Sequence, residues 1–185
     1  MTYTVGLLIY DGFSLQDIAA PFHLLAHATR PNQPETPLFR LYTVARTKEI
    51  VTCYGGLQIL PDHIYPDAEI YDVIFVPGGP GYQDALKVLR LMNWINQASR
   101  LAQVVAAVNT GVYLLAASRL LNGRTVAAVP GLTDLYPDVQ IVENEAVVQS
   151  DKIFTISSCR QGQALAQAIM TELDGEAISY FTQNQ

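Results

Sequence analysis

Charged residues, cysteines and long apolar runs are all scarce in this sequence, and each shortage excludes a class of protein. Only 15% of the 185 residues are charged and 50% are hydrophobic, a balance that suits a sheet buried on both faces. The two cysteines, Cys53 and Cys159, have neither metal-ligand spacing nor an evident disulfide pattern. No apolar stretch reaches the roughly 18 residues needed to span a bilayer, so we expect no membrane partner.

Basic residues are scarce as well. The 11 lysines and arginines are outnumbered by 17 acidic residues, which gives a net charge of −6 without any basic run. This balance predicts no direct binding of nucleic acid. The GxGxxG and GKS/T fingerprints are absent, so the sequence predicts no nucleotide, no other cofactor and no metal. The N-terminus begins as a strand, without the basic region or cleavage site of a signal peptide, and a cytoplasmic location is expected.

A strand that turns into a helix within a few residues is the most informative stretch of the chain. Val104–Val108 are five small apolar residues, which predict a strand buried on both faces, and residues 112–118 have helical spacing. Between them lie Asn109, Thr110 and Gly111. Such a sharp corner is the geometry of a nucleophile elbow, at the edge where open α/β sheets bind ligands. Its first residue is Asn109, and a neutral carboxamide is a poor nucleophile.

A candidate carboxylate follows the predicted first strand, Thr4–Tyr10. A helix is predicted from about Ser14, which can cap it, to about Ala28, and Asp17 lies in its first turn. Asp17 can be interpreted as a capping-box-like acid that satisfies the first amides of the helix. Alternatively, its carboxylate faces the same cleft as Asn109, because the carboxyl ends of parallel strands meet at one edge.

A glycine-rich loop follows another buried strand, predicted at Tyr71–Val76. The loop, Pro77–Gly81, includes Gly78 and Gly79, where backbone amides can approach a ligand without an intervening Cβ. It can be a simple tight turn or a nest that binds an anion or oxyanion. Because the loop follows a strand, either interpretation places it at the same edge as Asn109.

Strands alternate with helices through the rest of the chain. Further strands are predicted at 38–45, 50–53, 57–60, 124–129, 139–142, 146–149 and 152–156, and further helices within 83–100 and at 161–173. His63 is placed in a surface loop, and residues 175–185 in a last helix or tail. The alternation predicts one domain, residues 1–185, of the α/β class: a three-layer α/β/α sandwich around a mainly parallel central sheet.

Taken together, these motifs resemble the ThiJ/PfpI superfamily, whose fold is flavodoxin-like and class I glutamine amidotransferase-like. Within it, the chain is most similar to isonitrile hydratases and to the related domains of AraC-type transcriptional regulators. The resemblance covers nearly the whole chain and rests on the order and spacing of Phe13–Asp17 with Pro21, Gly55–Leu57, Val76–Gly81, Thr110–Gly111, Leu114–Ala117, Leu120–Arg124, Tyr136–Val139 and Ile153–Thr155. It implies a homodimer and a small-molecule ligand or substrate.

In this family the strand-to-helix corner carries a cysteine nucleophile, usually followed by Thr-Gly. The resemblance places Asn109 at the cysteine position and Thr110 directly after it. It matches Asp17 to the carboxylate that hydrogen-bonds the thiol, and Gly78 and Gly79 to the loop that donates amides. The chain therefore keeps the carboxylate and the amide loop that the family implies but lacks the nucleophile.

A second departure accompanies the first. The family often has a histidine in the segment where this chain has Val129. Cys159 lies at a different strand-to-helix corner and is no evident replacement for the missing thiol. Since a carboxamide cannot form a thiolate, covalent thiol catalysis at this corner is excluded by residue type.

Two functions remain open beside a purely structural role. In the first, the chain is a non-catalytic relative that binds a small molecule, as a sensor or partner, with the loop glycines and Gly111 among its ligand-binding residues. In the second, the chain is a hydratase or lyase in which Asp17 is the general acid and base while Asn109 and Thr110 position substrate or water. This second reaction needs no covalent intermediate, so it does not require a cysteine nucleophile.

Overall fold

A seven-stranded sheet runs through the centre of the computed structural model, which describes residues 1–65, 70–175 and 177–179. The strands are, in chain order, β1 (Tyr3–Leu8), β2 (Ala28–Thr29), β3 (Phe39–Ala45), β4 (Val51–Thr52), β5 (Gln58–Ile59), β6 (His63–Ile64), β7 (Val73–Val76), β8 (Val104–Val108), β9 (Thr125–Ala127), β10 (Gln140–Val142), β11 (Val148–Ser150), β12 (Ile153–Ile156) and β13 (Ile178–Ser179). The helices are α1 (Leu15–Ala26), α2 (Tyr82–Ala85), α3 (Leu89–Leu101), α4 (Gly111–Ala117), α5 (Leu132–Leu135) and α6 (Gly162–Leu173).

The strand order, β11-β12-β8-β7-β1-β3-β6, puts β8 and β7 inside the sheet. Neighbouring strands are parallel except for β11, which is antiparallel to β12 at one edge. Alternate residues of β8 face two cores: Val105 and Ala107 pack with α2–α5, whereas Val104, Ala106 and Val108 pack with α1 and α6. The predicted α/β sandwich with a mainly parallel sheet is confirmed. Within the described residues, every helix is too short or too polar to cross a membrane.

Two placements made from the sequence are wrong. His63 lies in β6 rather than in a surface loop: it pairs with Val44 of β3, and its Nδ1 is 2.6 Å from the hydroxyl oxygen of Tyr71. An edge strand of two residues is too short to show alternation, which explains why the pattern missed it. The two residues of β13, predicted in a helix or tail, pair with β2 in antiparallel fashion. Residues 176 and 180–185 of that segment lie outside the described residues.

Thr155 joins the small β9–β10 sheet to the main sheet through its hydroxyl group. The buried Oγ1 accepts a hydrogen bond from the N–H of Ala127 (2.8 Å) and donates one to the carbonyl of Val148 (3.4 Å). We expect Thr155→Val to lower the free energy of unfolding by about 2 kcal/mol, because the N–H of Ala127 loses its buried partner. Urea denaturation measures the change. Thr125→Val on β9, at a partly exposed position, is the control; an equal effect there would contradict the explanation.

Candidate functional site

Strand β8 turns into helix α4 at Asn109, whose backbone has the left-handed conformation (φ 51°). Asparagine is among the few non-glycine residues that adopt this conformation at low cost. The N–H of Asn109 donates to the carbonyl of Ile156 in the neighbouring strand β12 (2.9 Å), and its own carbonyl accepts from the N–H of Val112 (3.1 Å). The backbone therefore makes the predicted sharp corner at the carboxyl edge of the sheet, with Asn109 at the tip and Thr110 directly after it.

Two side chains hold the glycine-rich loop between α1 and the corner. The N–H of Gly78 donates to Oδ2 of Asp17 (2.8 Å), and the N–H of Gly79 donates to Oγ1 of Thr110 (3.0 Å). Four of the predicted site residues are thus in direct contact. Both amides that a nest would offer to an anion already have partners within the protein, so neither is free to bind an anion in this structure.

Close packing leaves no room for a side chain at two of the predicted glycines. A Cβ on Gly78 would lie 2.7 Å from Oγ1 of Thr110 and 2.9 Å from Oδ2 of Asp17. A Cβ on Gly111, at the start of α4, would lie 2.4 Å from the carbonyl oxygen of Val76. Gly111 therefore lets the corner pack directly against the end of β7, which keeps the loop and the corner together.

Asp17 is 2% exposed and does not cap the helix in whose first turn it lies. The start of α1 has no side-chain capping hydrogen bond, and the N–H of Ser14 donates instead to the carbonyl of Gly78 (2.8 Å). The capping interpretation is therefore wrong. Burial raises the pKa of Asp17 above its ordinary value, and hydrogen bonds from the Gly78 N–H and the Ser14 hydroxyl offset only part of that rise. The carboxyl group can thus keep a proton where an exposed aspartate is ionised.

The raised pKa of Asp17 contributes a free energy of unfolding that falls as pH rises. Between the ordinary pKa of the unfolded chain and the raised pKa of the folded state, the folded state binds more protons, so the free energy of unfolding decreases with pH. We expect Asp17→Asn to remove this slope, measured by urea denaturation from about pH 4 to about pH 8. Asp138→Asn removes an exposed carboxylate instead and should keep the slope. An unchanged slope in Asp17→Asn would disprove the assignment.

Sequence reasoning missed Tyr10, which follows β1 and lies next to the loop. Its hydroxyl donates to the carbonyl of Pro77 (2.9 Å), the residue before Gly78. The pKa of Tyr10 is raised, chiefly by burial and further by the charge of Asp17. Tyr10 therefore fixes the first residue of the loop. A tyrosine at the end of an apolar strand gives no functional signal in the sequence, because core strands commonly end on aromatic residues.

The side chains at the other sequence-noted positions lie in different surroundings. Val129 is 5% exposed and belongs to the core beneath α2–α5. Cys53 is buried, as expected for a small apolar residue. Cys159 follows β12, the strand beside β8, and its Sγ is 3.9 Å from Oε1 of Gln16. In the part of the chain that the structure describes, no group of three or more His, Cys, Asp or Glu residues could hold a metal ion.

Comparison with known proteins assigns the chain to a family. The sequence model of the DJ-1/PfpI family matches residues 3–172. The chain belongs to the DJ-1/PfpI family. Among curated relatives, an isonitrile hydratase from Pseudomonas putida is 26% identical over 186 residues, which cover 100% of this chain and 78% of the relative.

Solved structures show the same DJ-1/PfpI architecture. A ThiJ/PfpI family protein from Pseudomonas syringae has a TM-score of 0.81 at 22% identity, over 94% of this chain and 69% of that chain. An AraC family transcriptional regulator from Pseudomonas putida has a TM-score of 0.77 at 17% identity, over 94% of each chain. At such identities the likeness shows the fold alone, and it confirms the fold that the motifs implied.

Proposed function

We propose that this DJ-1/PfpI protein is a non-catalytic small-molecule-binding protein, or sensor, whose ligand occupies the corner formed by Asp17, Asn109 and Thr110. The residue at the tip of the corner carries the proposal. The resemblance implies a cysteine nucleophile at that position, whereas Asn109 has a carboxamide that is neither ionised nor nucleophilic at neutral pH. Such a site can bind a guest molecule but cannot form a covalent bond with it.

The groups at the corner suit a small polar ligand. Among the described residues, the side chain of Asn109 has no hydrogen-bond partner, which leaves one acceptor oxygen and two donor hydrogens for a ligand. Asp17 adds a carboxyl group that can be protonated or ionised, and Thr110 adds a hydroxyl. Gly78 and Gly111 let the loop and the corner pack closely together, which keeps these polar groups near one another.

The surroundings of the corner support a loss of thiol chemistry. Val129, at the position that the resemblance gives to histidine, is aliphatic and packed in the core. Cys159 contacts Gln16 at the neighbouring corner, and no contact links its thiol to Asn109 within the described residues. A cytoplasmic homodimer is part of the proposal, since the family resemblance implies dimers. Sedimentation analysis tests the dimer, and a monomer would contradict that part.

A hydratase of the isonitrile hydratase type is the second candidate, and two observations favour it. A relative that matches the full length of this chain is an isonitrile hydratase, and the raised pKa of Asp17 suits a general acid. In this reaction the Asp17 carboxyl group would donate its proton to the isonitrile carbon, and water would add to that carbon. The carboxylate would then take a proton back from the added water, and the adduct would tautomerise to an N-substituted formamide. The sum is the addition of one water molecule.

Turnover of an alkyl isonitrile separates the two candidates. The purified protein is incubated with the isonitrile, and the formamide is measured by chromatography. We expect no formamide beyond the rate without protein. Formamide production that falls about 100-fold or more in Asp17→Asn, but not in Asp138→Asn, would contradict the non-catalytic proposal and support the hydratase.

A metabolite screen by thermal denaturation tests ligand binding at the corner directly. We expect at least one small polar compound to raise the Tm of the wild-type protein, as ligand binding to the folded state requires. The same compound should fail to raise the Tm of Asn109→Ala, which removes the carboxamide. A broad screen without any shift, or an equal shift in the variant, would contradict the proposal.

A further inference from the structure

A cavity of about 440 Å³ lies at the carboxyl ends of β1 and β3, and Asp17, Asn109 and Thr110 are not among the residues that line it. The volume lies within the roughly 300–1,000 Å³ that small-ligand pockets occupy. Most of its wall is apolar and comes from the ends of the two strands and from the segment around α2 and α3. Its apolar lining residues include Leu8, Ala45, Tyr65, Ala85, Val88 and Leu91. An apolar wall of this size suits the hydrocarbon part of a small molecule.

The acidic groups that line the cavity already have hydrogen-bond donors. Oδ1 of Asp11 accepts from the N–H of Thr52 (2.9 Å), and Oδ1 of Asp84 pairs with Nζ of Lys87 (2.6 Å). Oε2 of Glu49 accepts from the hydroxyl of Thr47 (3.4 Å), which lines the cavity as well. The lining carboxylates are thus partly satisfied within the chain.

Arg46 is an exposed arginine that lines the cavity. It forms no ion pair or hydrogen bond with any residue that the structure describes. Its charge reaches the apolar part of the cavity, because Arg46 and Arg90 both act on the Tyr65 hydroxyl. An arginine guanidinium presents paired N–H donors that match the two oxygens of a carboxylate. The cavity therefore combines an apolar wall with an arginine that has no ion-pair or hydrogen-bond partner among the described residues.

We propose that this cavity is a second ligand site, which binds a small aliphatic monocarboxylate. The carboxylate of the ligand accepts hydrogen bonds from the Arg46 guanidinium, and its hydrocarbon chain lies against Leu8, Val88 and Leu91. The site is separate from the corner, although Tyr10 and Gly81 line the cavity and also belong to the segments that hold the corner loop. The proposal goes beyond the proposed function and does not depend on it.

The chain contains a natural reporter for this cavity. Trp94 is the single tryptophan of the sequence, and its ring centroid is 5.5 Å from that of Tyr65, which lines the cavity. A ligand that contacts Tyr65 changes the surroundings of Trp94. Hexanoate is the probe, because it matches the proposed chemistry and does not absorb where tryptophan is excited. We expect its titration to change the Trp94 emission with a dissociation constant of about 1 mM, as suits so small a ligand.

Matched variants and probes test the two parts of the site. Arg46→Gln should weaken hexanoate binding about tenfold or more, since it removes the charge-assisted hydrogen bonds. Arg90→Gln removes the same charge near Tyr65 but from outside the lining, and should bind hexanoate as the wild type does. Val88→Phe fills part of the cavity from its apolar wall and should also weaken binding. Circular dichroism checks that each variant is folded.

Three results would overturn the proposal. The first is no change of Trp94 emission with hexanoate up to a concentration of about 20 times the expected dissociation constant. The second is hexanoate binding that Arg46→Gln leaves unchanged or that Arg90→Gln weakens equally. The third is tighter binding of hexylamine than of hexanoate, which would show that the acidic groups select the ligand. Loss of binding in Arg46→Gln and Val88→Phe, together with retention in Arg90→Gln, supports it.

Discussion

Gly81→Ala is expected to lower the free energy of unfolding by about 3 kcal/mol or more, as overpacking of this severity does. A Cβ on Gly81 would lie 1.9 Å from the carbonyl oxygen of Asp11 and 3.0 Å from Cα of Gly12. Both neighbours are backbone atoms, so no side chain can turn away to make room. The N–H of Gly81 also donates to the carbonyl of Gly12 (3.1 Å), and this bond would break if the segments separated. Urea denaturation at a fixed pH measures the loss.

Two other glycines are controls for Gly81→Ala because a Cβ there meets nothing within 4 Å. Gly175→Ala should leave the stability nearly unchanged. Gly123 has φ +67°, so Gly123→Ala should destabilise by about 1 kcal/mol through backbone strain alone. A Gly81→Ala protein as stable as Gly123→Ala would show that the loop and the end of β1 can move apart freely.

Asn109→Cys is expected to introduce a thiol that iodoacetamide alkylates about five to ten times faster at neutral pH than an exposed cysteine. The thiol would lie where α4 begins, beside the backbone N–H groups of its first turn, whose partial positive charge stabilises a thiolate. Asp17, whose pKa is raised, can donate a hydrogen bond to that thiolate. Peptide mass spectrometry measures the rate at this position separately from Cys53 and Cys159.

Thr133→Cys is the matched control for the introduced thiol, because Thr133 is exposed on α5. The two proteins carry the same number of cysteines and differ only in where the new one lies. If the thiol at position 109 reacts no faster than the one at position 133, the corner does not activate a nucleophile. In that case the residue at position 109 would not account for the proposed lack of catalysis.

The order of strands and helices could be predicted because it depends on local patterns. The five small apolar residues of β8 and the helical spacing after Gly111 are both visible within one segment. The corner at Asn109 follows from the short distance between them. The prediction for His63 was wrong for the opposite reason. Its strand forms by pairing with β3, and a strand of two residues shows no periodicity in the sequence.

The contacts within the site could not be predicted from the sequence. Asp17 and Gly78 are 61 positions apart, and nothing near either residue indicates that one accepts a hydrogen bond from the other. The sequence placed both at one edge of the sheet, yet it left open whether Asp17 caps its own helix. The structure decides this point because the Ser14 N–H is already bonded to the loop. Tyr10 went unnoticed because its hydroxyl partner, Pro77, is equally remote along the chain.

The amide protons of Gly78 and Gly79 exchange with solvent only when a side chain, rather than a strand, releases them. The two amides are bonded to different elements, α1 for Gly78 and the start of α4 for Gly79. The hydrogen-exchange rate of the Gly78 amide therefore reports the contact with Asp17, and that of the Gly79 amide reports the contact with Thr110.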